Sequence, residues 1–257
     1  MADYQLPRTD GEARRLAIQS ELLAEATEAT LEAAGVARAT SCIDIGCGTG
    51  DVMVAMAQRA PTARIVGLDL DTRPARARLG DRFELVTGDL FSATGAFDFV
   101  FSRYVLHHLP DPAAGIAKMW ELTKPGGTLA VLDIDQRGTT THPFWEPYQK
   151  LEGHIRGLYE RFGIDNYIGH KLPHLFERAG VGEPDGTKVV GVIRKVSELR
   201  EFLPLLLDMV RDKLVGNGLA TTDEIRVLEA ELATAGDQTS TYCYRPTAVG
   251  VWKHKPG

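Results

Sequence analysis

Apolar residues along the chain fall into two alternating periods. Short runs rich in Val, Ile, Leu and Phe occur at 41–45, 64–68, 83–86, 97–102 and 128–134. Between them, residues 51–59, 72–80 and 112–122 place their apolar positions at helical spacing. Continuous apolar strands separated by amphipathic helices predict a parallel sheet covered by helices on both faces. Right-handed crossovers then give a doubly wound α/β architecture of the Rossmann-like kind.

The flanking regions differ in texture. Residues 1–39 open polar and turn helical, with a capping box at Thr9-x-x-Glu12 and with Leu16, Gln19, Leu22, Leu23 and Ala26 in helical phase. Gly35 supplies a stop. After residue 140 the pattern predicts helices at 142–162, 172–179, 199–214 and 222–235, with strands at 188–193 and 242–254. Three segments are expected: an N-terminal helical lid (1–39), a binding core (40–139), and a helical cap whose terminal strands complete the sheet (140–257).

Composition narrows the partners. A chain of 257 residues with 44% hydrophobic content can bury a large core without cross-links. Its net charge of −6 creates no global attraction to nucleic acid or acidic lipid, so neither is expected as a partner. Cys42, Cys47 and Cys243 are odd in number and lack C-x-x-C spacing, which reads as reduced, buried thiols. The first residues contain no apolar signal core and no stretch is long enough to cross a bilayer, so the expected compartment is the cytoplasm.

The strongest chemical feature is the run Cys42-Ile43-Asp44-Ile45-Gly46-Cys47-Gly48-Thr49-Gly50-Asp51. A strand enters three alternating glycines and then a helix, whose free N–H groups favour a carboxylate. A dinucleotide fingerprint would require a third glycine at position 51, which is Asp here, and a carboxylate sits badly against a pyrophosphate. Asp69 and Asp89 follow the next two strands at similar intervals. In an open parallel sheet, ligands bind beyond the carboxyl ends of the strands. Asp69 can therefore accept from two ribose hydroxyls, and Asp89 from an exocyclic amine of a purine.

Together these stretches resemble the class I S-adenosylmethionine-dependent methyltransferases, in the branch that modifies small molecules. The matching segments are IDIGCGTG (43–50), VGLDLD (66–71), ELVTGDL (84–90), FDFVFSRYVLHHLPDP (97–112) and LTKPGGTLAVLDID (122–135). The resemblance implies S-adenosylmethionine as cofactor and S-adenosylhomocysteine as product. It places Gly46 and Gly48 beside the methionine part, Asp69 at the ribose, and Asp89 with the Leu90 main chain around the adenine, and counts Cys47, Leu70 and Gly88 among the cofactor-binding residues. Ser102 or Arg103 is expected to meet the methionine amino group. The segment 1–39 resembles the family's N-terminal lid, from which Tyr4 and Gln19 can reach the cofactor carboxylate.

Methyl transfer is an in-line displacement in which positioning dominates, and a base is needed only where the nucleophile must lose a proton. Tyr104, His107 and His108 follow the fourth strand, next to the expected methyl position. Consecutive side chains are expected to point different ways, and His107 is chosen as the base. Asp133 and Asp135 share one face of their strand, as Mg²⁺ ligands do in catechol-type enzymes, but the accompanying Asp-Asn pair is missing and no metal is expected. His142, Tyr148, His154, Tyr159 and Tyr167 are further pocket candidates. Phe144, Trp145, Tyr148 and the 199–214 helix suggest a greasy cavity for an aromatic or polyketide-like apolar substrate, or else the cap's own core or a homodimer contact. Monomer and homodimer are both open. So are two other readings of function: a cyclase that binds S-adenosylmethionine without consuming it, and a nicotinamide-dependent oxidoreductase.

Overall fold

The computed structural model describes residues 10–257. Tyr4 and the Thr9 half of the capping box lie outside the described residues. In chain order the first elements are α1 (Asp10–Leu22), α2 (Ala24–Ala33), β1 (Ser41–Ile45), α3 (Asp51–Arg59), β2 (Arg64–Asp69), α4 (Arg73–Leu79) and β3 (Glu84–Thr87). Then come β4 (Phe97–Arg103), α5 (Pro112–Leu122), β5 (Thr123–Asp135), β6 (Thr140–His142), α6 (Glu146–Phe162) and α7 (Leu172–Arg178). The chain ends with β7 (Gly186–Val190), β8 (Ile193–Lys195), α8 (Phe202–Gly216), α9 (Thr222–Leu232), β9 (Tyr242–Tyr244) and β10 (Thr247–His254). These elements form two compact units. One comprises residues 23–135, 167–190 and 248–257; the other comprises the remaining described residues.

The first unit is built on a seven-stranded sheet of order β3-β2-β1-β4-β5-β10-β7. Strands β1 to β5 pair in parallel, and β10 runs antiparallel to β7. The chain winds outward from β1 to β3 and then returns to place β4 against the other side of β1. The two halves therefore diverge between β1 and β4, which is the topological switch point where such sheets bind ligands.

Strand period explains why both faces are apolar. Ile43, Ile45, Val100, Leu129 and Val131 pack on one face, against α5 and α7. Cys42, Phe99, Phe101, Ala130 and Leu132 pack on the other, against α2 and α3. Alternate residues of one strand thus enter opposite cores, which is why these strands read as unbroken apolar runs. The helices start where local chemistry dictates: the Asp111 carboxylate accepts from Ala114 N–H at 3.1 Å, just ahead of Pro112 at the head of α5.

Two expected strands turn out to be pairs. The stretch 242–254 divides at Arg245-Pro246 into β9, in a separate three-stranded sheet, and β10, in the large sheet. Pro246 has no N–H to donate to a ladder, so a break there is natural. Residues 188–193 divide likewise between β7 and β8 around Gly191, where an added Cβ would lie 2.7 Å from the Tyr244 hydroxyl.

The second unit consists of helices packed with the three-stranded sheet of order β6-β9-β8. Tyr148, Leu151, Ile155 and Leu158 on α6 meet Leu203, Leu206, Leu207, Val210 and Leu214 on α8, together with Ile225, Leu228 and Leu232 on α9. Each set follows helical spacing. The apolar run of α8 therefore forms this unit's own core, as one of the two sequence readings has it, and Trp145 and Tyr148 join it. Phe144 remains 71% exposed. Thr221 and Glu224 cap α9 reciprocally. No helix among the described residues is long and apolar enough to cross a membrane.

Candidate active site

At the carboxyl end of β1 the chain makes a turn that only glycine accommodates well. Gly46, Gly48 and Gly50 all adopt positive φ, at 72°, 52° and 78°. Gly46 and Cys47 both donate N–H to the Leu68 carbonyl, at 2.7 and 3.1 Å, which ties the turn to β2. The three glycines serve different ends. A Cβ on Gly46 would lie 2.4 Å from Val105 Cγ2, and one on Gly50 would lie 2.3 Å from Leu79 Cδ1. A Cβ on Gly48 would meet nothing within 4 Å. Gly46 and Gly50 are therefore required by packing, whereas Gly48 borders open space. Asp51 is held by Arg78 at 2.7 Å and by the Thr49 hydroxyl, at the favourable end of α3.

Asp69 closes the next strand and organises this turn. Its Oδ2 accepts from Gly48 N–H at 2.8 Å and its Oδ1 from Asp71 N–H at 3.0 Å. Each carboxylate oxygen has a further lone pair, so two hydroxyl donors can still be received. Gly88 N–H donates to the Asp69 carbonyl at 2.9 Å, which draws the β3 loop to the same place. Asp89 caps the turn that follows, accepting from Phe91 N–H at 2.8 Å, while Leu90 is buried. Leu70 is 71% exposed beside Asp69, an apolar surface suited to a flat ring. Gly48, Asp69, Leu70, Gly88 and Asp89 thus come together at three adjacent strand ends.

Sequence reasoning passed over Asp44. It is buried in the middle of β1, and neither carboxylate oxygen has a hydrogen-bond partner. Burial pushes its pKa up to about 8; Arg103 opposes the rise, and Asp69 and Asp51 add to it. An acidic residue between two isoleucines of an otherwise apolar strand was the available signal, because an unpaired buried carboxylate is costly without a role.

Ser102 and Arg103, the alternatives for the amino group, leave β4 on opposite faces. The Ser102 hydroxyl is fully buried and unpartnered. Arg103 donates to the Thr27 hydroxyl at 3.0 Å, and burial lowers its pKa against the opposing charges of Asp44 and Asp51. A guanidinium has no acceptor for an ammonium group. It suits a carboxylate instead.

Beyond β4 the chain enters a strained loop. Tyr104 has φ 59°, the one non-glycine with positive φ among the described residues. A Cβ on Gly46 would strike Val105, so this loop abuts the glycine turn. The His107 ring meets Tyr104 edge-on at 5.8 Å and lies 3.9 Å from the His108 ring, centroid to centroid. The two imidazoles do not diverge as neighbours on a strand would, because residues 106–108 form a 3-10 turn. His107 is buried and its Nδ1 lies 2.7 Å from Asp133 Oδ1; His108 is exposed.

Asp133 is fully buried near the end of β5. Its oxygens also receive the N–H groups of Leu106, His107 and Ile134 at 3.0, 3.4 and 2.8 Å. An acceptor so occupied binds His107 as Nδ1–H, which leaves Nε2 as the basic nitrogen. Asp135, its companion on the same face, lies 3.3 Å from His170 Nδ1.

The other candidates are spread more widely. Gln19 accepts from Arg15 on α1. Tyr148 is buried beside Glu152 and Cys243, and burial raises its pKa. Partial burial lowers that of His154. His142 is exposed on β6. Tyr159 packs against the helical unit's core. Tyr167, in the sheet unit, is half-buried.

A doubly wound sheet with a glycine turn and acidic residues at successive strand ends defines a binding domain for a nucleoside-bearing ligand. A methyltransferase-domain family profile matches residues 43–131. The chain is 33% identical over 212 residues to methyltransferase str3 of Strobilurus tenacellus, covering 79% of this chain and 75% of that protein. It is 40% identical over 94 residues to a trans-aconitate 2-methyltransferase of Deinococcus radiodurans, covering 35% of this chain and 36% of that protein. Matches of this second kind span 36–42% of the relatives' own length. Among solved structures, phosphoethanolamine N-methyltransferase 2 of Haemonchus contortus, bound to S-adenosylhomocysteine, shares the fold with a TM-score of 0.57 and 15% identity, over 97% of this chain and 58% of that one. The chain belongs to the class I S-adenosylmethionine-dependent methyltransferases.

Proposed function

We propose that this protein methylates a small molecule at an atom that must lose a proton, with His107 as general base. Bound S-adenosylmethionine supplies an electrophilic methyl carbon on a sulfonium. The observation that carries the cofactor assignment is the unpartnered, buried Asp44 carboxylate, on the strand that feeds the open turn at Gly48. A cation in reach of Asp44 satisfies it, and the cofactor's amino-acid end provides one. Arg103 suits the carboxylate of the same end. Asp69 receives the ribose hydroxyls, and Leu70, Asp89 and the Leu90 main chain frame the adenine.

Asp133 holds the His107 ring in one tautomer and stabilises the imidazolium that forms when His107 takes the acceptor's proton. Because the loop bearing His107 abuts Gly46, base and cofactor pocket belong to one construction. Alignment of nucleophile and methyl carbon then accounts for most of the rate, on the order of 7–11 kcal/mol.

Titration calorimetry with S-adenosylhomocysteine and with NAD tests the cofactor. The first is expected to bind and the second is not, and the reverse result removes the assignment. Mass analysis of products tests the reaction. A gain of one methyl supports it, whereas a rearranged product of unchanged mass points to a cyclase.

A further inference from the structure

Thr27 is a buried hydroxyl on α2, the helix that opens the sheet unit. Its Oγ1 donates to the Leu23 carbonyl at 2.8 Å, one turn back. A hydroxyl has a single proton, so once that proton is given to Leu23 the oxygen meets any other neighbour as an acceptor. The neighbour is Arg103 Nη1, which donates to it at 3.0 Å.

The helix that carries Thr27 is firmly seated. Ala26 and Leu31 are buried in the core that also holds Phe99 and Phe101. One turn along, Thr30 is pressed against β10, where a Cβ on Gly250 would lie 2.5 Å from Thr30 Oγ1. A guanidinium is a rigid planar fork, so tying one arm of it to a fixed helix sets the plane of the rest.

The fork is also aimed. Asp44 pairs with Phe101 across β1 and β4, and Arg103 lies two residues beyond Phe101 and pairs with Leu132 on β5. Asp44 and Arg103 therefore leave the sheet on the face where Phe101 and Leu132 pack. Arg103 ends β4, beside the switch point between β1 and β4. Asp44, and then Asp51 at the head of α3 behind the glycine turn, are the charges that counter its burial. Thr27 is neutral, so it orients this cation without cancelling its charge.

We infer that Thr27 is a positioning residue for the cofactor: it holds the Arg103 fork where the carboxylate of the amino-acid end arrives, and so makes the site select ligands that carry that end. This rests on the reading that Arg103 meets the carboxylate, and deepens it by naming the residue that sets the geometry. No covalent step passes through Thr27.

Two ligands separate this role from general support of the fold. S-adenosylhomocysteine has the amino-acid end; methylthioadenosine keeps the adenosine and the thioether but lacks it. Thr27→Val preserves shape and removes the acceptor. By calorimetry it is expected to weaken S-adenosylhomocysteine about tenfold while leaving methylthioadenosine unchanged. Thr27→Ser, which restores the hydroxyl, should bind both as the unsubstituted protein does. Arg103→Lys replaces the fork by a point charge, so adding Thr27→Val to it should cost little more, because two residues acting as one unit do not add. Should Thr27→Val not fold, Thr27→Ala removes the same acceptor and takes its place. The inference is overturned if the acceptor-less variant binds S-adenosylhomocysteine normally, if it loses both ligands equally, or if its cost adds in full to that of Arg103→Lys. Failure of either ligand to bind the unsubstituted protein would instead remove the adenosine site, and equal affinity for the two would remove Arg103 from the carboxylate. Both are seen before any variant is made, so failure of the underlying reading is distinguishable.

Discussion

His107 Nδ1 stands 2.7 Å from Asp133 Oδ1, and the same carboxylate receives the main-chain N–H of His107. One acidic side chain therefore fixes both the ring and the backbone of the residue proposed as base. His107→Ala is expected to lower kcat by about two to four orders of magnitude, the usual scale for a general base. Affinity for S-adenosylhomocysteine should not change. Retention of full turnover in the variant would assign catalysis to positioning alone.

Asp133→Asn tests the carboxylate separately. The N–H groups of Leu106 and His107 can keep the amide oxygen as acceptor, but the Ile134 N–H and the His107 ring lose theirs, and an amide cannot stabilise an imidazolium by charge. Turnover per folded molecule should fall, beside a loss of stability of roughly 1–3 kcal/mol from the N–H left unpaired. A large loss of stability with normal turnover per folded molecule would make Asp133 a structural residue only.

Gly46 and Gly48 should separate packing from binding. Gly46→Ala forces a Cβ into Val105 at positive φ, and is expected to cost roughly 1–3 kcal/mol of stability. Gly48→Ala meets no neighbour, so its cost is confined to the backbone, roughly 1–2 kcal/mol. It should nevertheless weaken S-adenosylhomocysteine more than Gly46→Ala does per folded molecule. Denaturant melts and calorimetry on both variants decide this, and equal affinity losses would remove Gly48 from the cofactor site.

Much of the sheet unit was readable from pattern, and the reason is physical. A strand buried on both faces has to be apolar throughout, so β1 and α3 emerge at their predicted bounds. The glycines and Asp69 were readable because a tight turn and a hydroxyl-binding carboxylate each restrict residue type. Asp44 was not, because its meaning depends on lacking a partner, which only three dimensions reveal. The pairing of His170 with Asp135 was hidden likewise, since the two residues come from distant segments. The division of 242–254 between two sheets was hidden because both strands carry buried apolar residues and only Pro246 marks the break.

Asp69 supports the turn as well as facing the ligand, so its variants should differ. Asp69→Ala removes the acceptor of Gly48 N–H and should lose both stability, by about 1 kcal/mol, and cofactor affinity. Asp69→Asn keeps an acceptor for the turn but binds ribose hydroxyls less strongly than a carboxylate. It should retain most of the stability while weakening S-adenosylhomocysteine. Unchanged affinity in both variants would place the ribose elsewhere.

Asp44 links cofactor binding to pH in a direction its burial dictates. With a pKa raised to about 8, the carboxyl is protonated below that value in the free protein. Binding of a cationic ligand favours the ionised form and so releases a proton. Affinity for S-adenosylmethionine should therefore rise between about pH 6 and 8, by at most about tenfold per unit, and then level off. Stability of the free protein runs the opposite way. Between the ordinary carboxyl pKa and about 8 the folded state holds a proton that the unfolded state has released, so stability falls as pH rises, by up to about 1.4 kcal/mol per unit. Asp44→Asn removes the titrating group, and both slopes should flatten relative to the unsubstituted protein. Parallel pH profiles for the two proteins, in calorimetry and in denaturant melts, would show that Asp44 does not meet the cofactor's charge.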